Sequence, residues 1–455
     1  KIDFLFTKHY CRAEEGNIRD INLVKLFLER GYSSGIIGSC QRIHAQLKKE
    51  GIFSIQLLRE IKIPARLENL EERVRQIEQE YNIPSLKRFI LAEQYYYNED
   101  ENHLFRKTVV YFEWLKKLFD QMEIGCLVNG QGGQIDFKIM HCLAQKKGIP
   151  IIYLGESFFP HKMLMFSDEM RDLGKKFQKR HWQEMTDQQK MEIEEHFLRF
   201  QNRQEVYRHS LMFNKKDEIL RSTIALKEYL ENKRFQALRI TLATKFKEGL
   251  PKVLNKLISK FICQSVLKNE KFIYFPLHLT NDTQITVRNP HFFEQAALAV
   301  YIARSLPFGY KLYVKEHPGS LIAIKDKMAL LREKNIVLLA PKLNSHDIIK
   351  KSEAVAIINS TVGLEALHYF KPVIVLGNWE FKGKGVTTDV EDLSKLDETI
   401  RIALKTKIDP AEIKAFLFSL KEAMYEGSIM EPTIDYNKVA DSIVKRYQEL
   451  KAGEI

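Results

Sequence analysis

Two groups of polar residues follow strand-like runs in the C-terminal half of the sequence, and their chemistry suits a phosphorylated ligand. The run YKLYV is followed directly by Lys315, Glu316, His317 and Pro318. A lysine adds positive charge, a neutral histidine can donate a hydrogen bond to a phosphate oxygen, and a proline fixes the direction of the turn. On its own, the segment is also typical of a surface turn.

The second group follows the apolar run AVAII and comprises Asn359, Ser360, Thr361, Gly363 and Glu365. Ser360 or Thr361 is expected to cap the next helix, whose free N–H groups and dipole attract a phosphate. Gly363 would let the backbone approach a ligand, and Glu365 would accept the hydroxyls of a ribose. The alternative is an ordinary helix N-terminus. Because both groups end strands of one predicted sheet, we expect a nucleotide-binding site there.

The N-terminal half offers two carboxylates and a glycine-rich turn. Glu156 follows the run IPIIYLG, Asp168 comes twelve residues later, and Asn129 and Gln131 lie in the turn NGQGG at the end of another strand. A pair of carboxylates suits glycosyl transfer with retention, since one can attack the anomeric carbon while the other handles the acceptor proton. The alternatives are a helix cap for Glu156 and a solvated loop acid for Asp168. The turn, with Asn129 and Gln131, is expected to border the same cleft.

Two sheets are needed to position these residues. The first 155 residues alternate strand-like and helix-like segments, and a second such series runs from KFIYFPLHL to PVIVLG. Apolar, β-rich runs separated by helices predict parallel sheets that are covered on both faces. We therefore predict an α/β protein with two Rossmann-like, doubly wound domains facing a cleft, at residues 1–170 and 269–408. Residues 171–268 are predicted to be helical, and residues 409–455 to form helices that pack back on the first domain.

Several motifs together resemble the capsule polysaccharide biosynthesis family, which includes retaining β-Kdo transferases. These motifs are KEHP, NSTVGLEAL about forty residues later, KPVIVLG, and the strand end YFPLH that contains His278. In the first half, Glu156, the aromatic residues after it and Asp168 are similar to a segment of the same family. The family commonly has a glutamate shortly after the equivalent of His278, whereas this chain has Asp282.

The resemblance implies a fold and a set of roles. The fold is that of GT-B glycosyltransferases, and the donor is a CMP-activated acidic sugar, most simply CMP-Kdo, with a glycan or glycolipid as acceptor. Lys315 and His317 would bind the phosphate and Glu365 the ribose. Asp168 would be the nucleophile and Glu156 the acid–base or acceptor-orienting group. Because there is no DxD-type acidic pair at an expected strand end and no Walker A sequence, we predict no metal and no cofactor.

Composition narrows the class of protein. The chain has 455 residues, of which 45% are hydrophobic, so disordered chains and disulfide-stapled miniproteins are excluded. Its five cysteines are scattered, odd in number and never spaced as CxxC, which indicates neither a disulfide framework nor a zinc site. A reducing cytoplasm is therefore expected. The longest apolar stretches fall short of the ~18 residues of a membrane span.

The charge of the sequence is unevenly distributed. The net charge is +12, and residues 171–270 alone hold 22 Lys and Arg against 13 Asp and Glu. This regional excess predicts attraction to an anionic membrane surface, and thus a peripheral location on the inner face of the cytoplasmic membrane. An apolar stripe at 253–262, with Lys252, Lys256 and Lys260 beside it, is interpreted as facing the core. Nucleic acid is not expected as a partner, because no RRM, KH or zinc module is present.

Three other functions fit parts of this pattern. A hydrolysing nucleotide-sugar 2-epimerase shares the fold but acts on a UDP-sugar alone. A polyol-phosphate transferase of the teichoic-acid type also has HP and serine-rich motifs. A non-catalytic scaffold could keep a degenerate nucleotide fold. Nucleotide preference, acceptor dependence and phosphorus in the product distinguish these possibilities.

Overall fold

A computed structural model gives the structure of the protein, and the described residues form two compact units. The described residues are 1–8, 14–39, 41–93, 100–130, 132–171, 173–203, 255, 257–259, 261–266, 269–279, 282–317, 322–429, 431 and 433–453. Unit 1 comprises Lys1–Gln178, Thr286–Pro290 and Ser419–Ile455, and unit 2 comprises Lys179–Ile285 and His291–Phe418. Gln131 and most of the basic segment, including Lys252, Lys256 and Lys260, lie outside the described residues.

Unit 1 is built on a mostly parallel sheet of seven strands. Its strands are β1 (Ile2–Lys8), β2 (Ser34–Gly38), β3 (Ser54–Gln56), β4 (Ile124–Asn129), β5 (Ile151–Gly155), β6 (Lys162–Phe166) and β13 (Tyr425–Glu426). The order is β13-β6-β5-β4-β1-β2-β3. β6 is antiparallel to β5 and β13 is antiparallel to β6, whereas the other neighbours are parallel.

Helices connect and cover these strands. They are α1 (Glu14–Glu29), α2 (Gln41–Lys49), α3 (Leu57–Glu60), α4 (Leu70–Glu80), α5 (Lys87–Leu91), α6 (Glu101–Gln121), α7 (Ile135–Lys146) and α16 (Tyr436–Lys451). α16 packs on α1, where Arg30 Nη1 donates to Asp441 Oδ1 at 2.7 Å. The ring of Tyr447 also lies 5.1 Å from that of Phe4. Residues far apart in sequence therefore share one hydrophobic core.

Unit 2 is built on an all-parallel sheet of six strands. Its strands are β7 (Lys271–Pro276), β8 (Tyr310–Lys315), β9 (Ile336–Leu339), β10 (Ala354–Ile357), β11 (Val373–Val375) and β12 (Thr388–Asp389), in the order β12-β11-β10-β7-β8-β9. The helices in this part of the chain are α8 (Asp187–Gln201), α9 (Thr283–Thr286), α10 (Gln295–Arg304), α11 (Ile324–Leu331), α12 (Ser345–Lys351), α13 (Val362–His368), α14 (Leu396–Lys405) and α15 (Pro410–Glu422). The chain passes from unit 2 to unit 1 within α15.

A buried pair of histidines joins α8 to α13. The Nε2 atoms of His196 and His368 lie 3.0 Å apart, and both residues are buried. His368 Nδ1 lies 2.7 Å from the carbonyl oxygen of Leu364, which can only accept, so Nδ1 carries a proton. In neutral His368, Nε2 must then accept a hydrogen bond from His196. Burial lowers the pKa of His368 to about 4, which keeps this arrangement neutral.

The two sheets confirm the predicted α/β fold with two Rossmann-like domains. The runs KFIYFP and AVAI are almost wholly buried, as expected for parallel strands covered on both faces. β6 was not predicted, because its sequence KMLMF lacks β-branched residues and has weak strand propensity. Among the described residues, no helix has both the length and the hydrophobicity needed to cross a bilayer.

Candidate functional site

The carboxyl edge of the sheet in unit 2 brings together most of the residues predicted to bind the donor. His278 follows β7, Lys315 ends β8, and Asn359 follows β10. These strands are parallel and β7 lies between β8 and β10, so all three residues belong to the same edge. This is the edge at which open α/β sheets bind their ligands.

Lys315 is buried and held by a serine that the sequence did not single out. Its Nζ donates to Ser345 Oγ at 3.0 Å, and the hydroxyl of Tyr274 lies 3.5 Å from the same oxygen. Burial lowers the pKa of Lys315, while the nearby Glu365 carboxylate opposes this effect. A buried cation held at a strand end is suited to an anionic ligand. The sequence feature that could have identified Ser345 is its position at the start of the helix that follows the strand NIVLLA.

Glu365 lies on α13, close enough to Lys315 for their charges to interact. Burial raises the pKa of Glu365 to about 7, and the positive charge of Lys315 opposes that rise. Near neutral pH the carboxyl is therefore divided between its protonated and ionised forms. The ionised form is a strong acceptor for hydroxyl groups, such as those of a ribose.

His278 contributes a neutral ring. Its backbone N–H donates to Gln295 Oε1 at 2.7 Å, and burial lowers the pKa of the ring to about 4, with Asp282 opposing and His317 adding to the shift. His278 is buried, and its Nε2 has no hydrogen-bond partner within the described part of the chain. A neutral imidazole whose N–H has no other partner can bind a phosphate oxygen by donating a hydrogen bond. Asp282 caps its own turn, accepting the N–H of Gln284 at 2.9 Å.

The segment after β10 holds one orphaned polar atom. Asn359 donates through Nδ2 to Gln284 Oε1 at 2.8 Å, whereas its buried Oδ1 has no partner in the described residues. Ser360 Oγ accepts the N–H of Val362 at 3.3 Å, as expected for a residue at the start of a helix. Thr361 is exposed, and its side chain makes no capping bond. Ser360, rather than Thr361, therefore supplies the side-chain hydroxyl at the helix start.

Packing explains Gly363. A Cβ at this position would lie 2.5 Å from Cδ1 of Ile357 and 2.9 Å from the ring of Trp379. The structure therefore corrects the expectation that this glycine opens a path for a ligand: its missing side chain lets α13 pack against the sheet and the loop after β11.

Glu316 of the KEHP motif is turned into the protein. It is 2% exposed, and Oε2 lies 3.0 Å from Nζ of Lys327, which is fully buried. Its Oε1 also accepts the N–H of Ile322 at 2.7 Å. Lys327 donates further to Ser259 Oγ at 2.5 Å. The two neighbouring residues of the motif therefore have different roles. Lys315 lies at the carboxyl edge of the sheet, whereas Glu316 forms a buried ion pair inside unit 2.

In unit 1, the structure separates the two predicted carboxylates. Glu156 directly follows β5, and Asp168 follows β6 by two residues. Because β6 is antiparallel to β5, the two residues leave this strand pair at opposite ends. Along the strands they are up to about 16 Å apart at ~3.3 Å per residue. Only Glu156 follows a strand at the carboxyl edge of the parallel strands.

Asp168 instead lies near a group of buried and partly buried polar side chains. The hydroxyl of Tyr153 is 2.9 Å from Nδ1 of His141. Burial is the largest influence on His141 and lowers its pKa, while the charges of Glu169 and Asp168 oppose this. Glu169 Oε2 accepts from Nζ of Lys138 at 3.0 Å. The two hydrogen-bonded pairs influence each other through their charges. No local pattern indicated this group, because its members come from α7, β5 and the segment after β6.

Asn129 ends β4 at the carboxyl edge of unit 1. Its Oδ1 accepts a hydrogen bond from Thr7 Oγ1 at 2.6 Å, and Thr7 also accepts the N–H of Gly130 at 3.2 Å. The side chain thus ties β4 to β1. Within the described residues, no three His, Cys, Asp or Glu side chains are grouped closely enough to hold a metal ion.

This chain is similar to known proteins over much of its length. A family model described as "Capsule polysaccharide biosynthesis protein" matches residues 138–417. The Thermosulfurimonas dismutans KpsC β-Kdo 2,4 transferase is similar at 13% identity and a TM-score of 0.39, over 70% of this chain and 87% of the other. The UDP-GlcNAc 2-epimerase of Neisseria meningitidis, bound to UDP-GlcNAc, is similar at 12% identity and a TM-score of 0.33, over 98% and 100%. A search of curated proteins found no match.

The family model covers both the KEHP and the NSTVGLEAL motifs, as well as Glu156 and Asp168. It extends over more than half of the sequence, and the resemblance predicted from these motifs is confirmed. This chain belongs to the capsule polysaccharide biosynthesis family.

Proposed function

We propose that this protein is a GT-B glycosyltransferase of surface polysaccharide assembly, which transfers Kdo from CMP-Kdo to a glycan or glycolipid acceptor with retention of configuration. The observation that carries the proposal is the carboxyl edge of unit 2. There a buried lysine, a neutral histidine and a carboxyl with a pKa near 7 meet at the end of a parallel sheet.

The donor would be bound mainly by its phosphate and ribose. Lys315, held by Ser345, supplies a cation for the phosphate, and His278 and His317 supply imidazole nitrogens. Ser360 places a hydroxyl at the same edge. Glu365 accepts ribose hydroxyls in its ionised form, which Lys315 favours. Together these groups neutralise the phosphate without a metal ion.

The chemistry of transfer would fall to unit 1. Glu156, at the carboxyl edge, is the proposed acid–base or acceptor-orienting group. Asp168 remains the predicted nucleophile. Attack by a carboxylate oxygen on the anomeric carbon would release CMP, and the acceptor hydroxyl would then displace the carboxylate after losing its proton. Since the two residues leave β5 and β6 at opposite ends, each needs its own test.

A CMP-dependent donor site can be tested by nucleotide selectivity. CMP should raise the melting temperature of the protein more than UDP or GDP at equal concentration, since ligand at ~100 times its Kd adds ~2.7 kcal/mol. Lys315→Met should abolish this gain, whereas Lys342→Met, at an exposed position of the same unit, should keep it. Stabilisation by UDP instead of CMP would contradict the proposal and favour the epimerase.

Transfer itself is measured by CMP release. CMP-Kdo should be consumed only when a glycan or glycolipid acceptor is present, and the rate should be unchanged by EDTA. Sugar release without acceptor would point to hydrolysis, and loss of activity in EDTA would contradict metal independence.

Association with an anionic membrane surface is part of the same proposal, with the protein in the cytoplasm. It is supported by the excess positive charge of residues 171–270. Wild-type protein should sediment with anionic liposomes at low salt, and the triple change of Lys252, Lys256 and Lys260 to Gln should reduce this. Sedimentation that is independent of these lysines and of salt would contradict the assignment.

A further inference from the structure

Part of the apolar stripe at 253–262 faces solvent in the structure. Its described residues are helical. Asn255 and Ser259 are buried, whereas Leu257 is 47% exposed and Phe261 is 88% exposed. Successive residues of a helix are about 100° apart, so Leu257 and Phe261 both point away from the side that carries Ser259. The interpretation of the stripe as facing the core is therefore wrong for these two residues.

The inner side of this helical segment is fixed to unit 2. Asn255 Nδ2 donates to the carbonyl oxygen of Ile322 at 2.7 Å, and the buried Lys327 of α11 donates to Ser259 Oγ. Gln264, two residues after the helical segment, extends the sheet at β9, because its N–H donates to a carbonyl oxygen of that strand at 2.8 Å. These contacts hold the two exposed apolar side chains in place on the outside of unit 2.

The exposed side of α11 extends this surface. Around the helix, Leu331 lies about 40° and Met328 about 100° from the buried Lys327, and both are exposed. Arg332 and Lys325 lie farther round, at about 140° and 160°, and they are exposed as well. Because Lys327 faces the helical segment, the two apolar side chains of α11 lie nearest to that segment, and the two cations border them.

The charge at the border of this surface is positive. Neither Lys325 nor Arg332 forms an ion pair with another of the residues that the structure describes. In the sequence, Lys252, Lys256 and Lys260 alternate with the apolar residues of the stripe. An apolar face bordered by unpaired cations is complementary to an anionic bilayer, whose headgroups attract the cations and whose acyl chains receive the apolar side chains.

We propose that this surface inserts into an anionic lipid bilayer. The insertion surface comprises Leu257, Phe261, Met328 and Leu331, with Lys325 and Arg332 at its border. The inference rests on the membrane association in the proposed function and deepens it. Lysines alone would hold the protein at the headgroups through a force that salt screens, whereas inserted apolar side chains add binding that salt does not screen.

Flotation of the purified full chain with lipid vesicles tests the proposal. Vesicles that mix phosphatidylglycerol with phosphatidylcholine should bind the wild type more strongly than phosphatidylcholine alone, and part of this binding should remain at high salt. Phe261→Ser should weaken the binding at high salt about tenfold or more, because the bilayer no longer receives the ring. Phe308→Ser is the matched control and should bind as the wild type. Phe308 is also exposed, but the nearest cations in the sequence, Arg304 and Lys311, are paired with carboxylates.

Fluorescence reports insertion directly. Phe261→Trp should add emission that is quenched by brominated acyl chains in the anionic vesicles, whereas Phe308→Trp should add emission that is not. The signal of the three native tryptophans is subtracted with the wild type. Equal quenching of the two variants would contradict insertion through Phe261.

The outcomes separate the insertion surface from the rest of the proposed function. If the vesicles bind and Phe261→Ser binds as the wild type at every salt concentration, the insertion surface is wrong, while membrane association through charge stands. If the wild type binds no vesicles, the insertion surface and the membrane association are both wrong, while the CMP-dependent donor site keeps its own test.

A second copy of the chain is the other occupant that the experiment can detect. If the wild type binds no vesicles but self-associates in sedimentation velocity, and Phe261→Ser is monomeric, the surface is an interface between copies and insertion is overturned. Circular dichroism of each variant excludes misfolding as the cause of a change.

Discussion

The buried ion pair of Glu316 and Lys327 gives the sharpest test of how unit 2 is held together. Glu316 is 2% exposed and Lys327 fully buried, and their charged atoms are 3.0 Å apart. Lys327→Met would leave a buried carboxylate without its counter-charge. Removing one partner of such a pair costs ~3–5 kcal/mol. For a unit of this size, ~2–4 °C per kcal/mol converts this into a fall in melting temperature of about 6 to 20 °C.

The double variant Glu316→Gln, Lys327→Met separates the cost of an unpaired buried charge from the cost of the altered packing. Without a buried carboxylate, much of the lost stability should return, since a neutral amide can still accept the N–H of Ile322. The matched control is a variant that lacks the side chain of Arg304, which pairs with Glu333. The Arg304 side chain is 67% exposed, and exposed ion pairs contribute only ~0–1 kcal/mol to the free energy of unfolding.

The effect of pH gives an independent check on the same pair. Burial raises the pKa of Glu316 above its ordinary value, and the hydrogen bond and charge of Lys327 oppose this rise. In the Lys327→Met variant this opposition is lost, so the penalty for an ionised Glu316 grows at neutral pH and decreases as pH falls towards the ordinary glutamate value near 4.5. Urea unfolding at pH 7.5 and 5 measures this difference. A Lys327→Met protein as stable as the wild type at pH 7.5 would refute the reasoning.

Three further predictions concern other residues. Ser345→Ala should weaken CMP binding about tenfold by releasing Lys315, whereas Ser345→Thr should not; titration calorimetry measures both, and equal affinities would contradict the role of the hydroxyl. The pKa of His368 near 4 predicts a loss of about 3 kcal/mol of unfolding free energy between pH 6.5 and 4, at ~1.36 kcal/mol per unit, because the unfolded chain takes up the proton first; a flat profile in urea titrations would be inconsistent with it. Asp168→Ala should abolish transfer and leave CMP binding intact, and intact-protein mass spectrometry of the wild type with CMP-Kdo should show a one-sugar adduct at Asp168; an active variant, or an adduct on Glu156, would show that the nucleophile lies elsewhere.

Local patterns were enough to predict the parallel strands. Runs such as KFIYFP are continuous and apolar because both faces of the sheet are covered, and each is followed by a helical period. By contrast, β6, β12 and β13 were not predicted, because they lack such a local pattern. β12 and β13 have two residues each, and β6 has a composition that does not favour strands, so their pairing depends on distant parts of the chain.

The candidate site was predictable where chemistry follows a strand directly. Lys315 and Asn359 lie at the carboxyl ends of their strands, as the sequence predicted. Ser345 was missed because a serine that starts a helix is common, and only the fold brings it to Lys315. Glu316 and Gly363 show the opposite case, since a motif residue can serve packing rather than a ligand. The separation of Glu156 from Asp168 depends on the antiparallel direction of β6, which no local pattern indicated.

The position of β13 and α16 in unit 1 has a consequence for synthesis on the ribosome. Lys162, the first residue of β6, donates to Glu426 in β13, 264 residues later in the chain. At ~5–20 residues per second, β6 waits roughly 13 to 50 s for its neighbour, with its edge unpaired. All of unit 2 is synthesised within that interval. Unit 2 can therefore finish folding before unit 1 has received its last strand and helix, and the unpaired edge of β6 is open to wrong partners during that time.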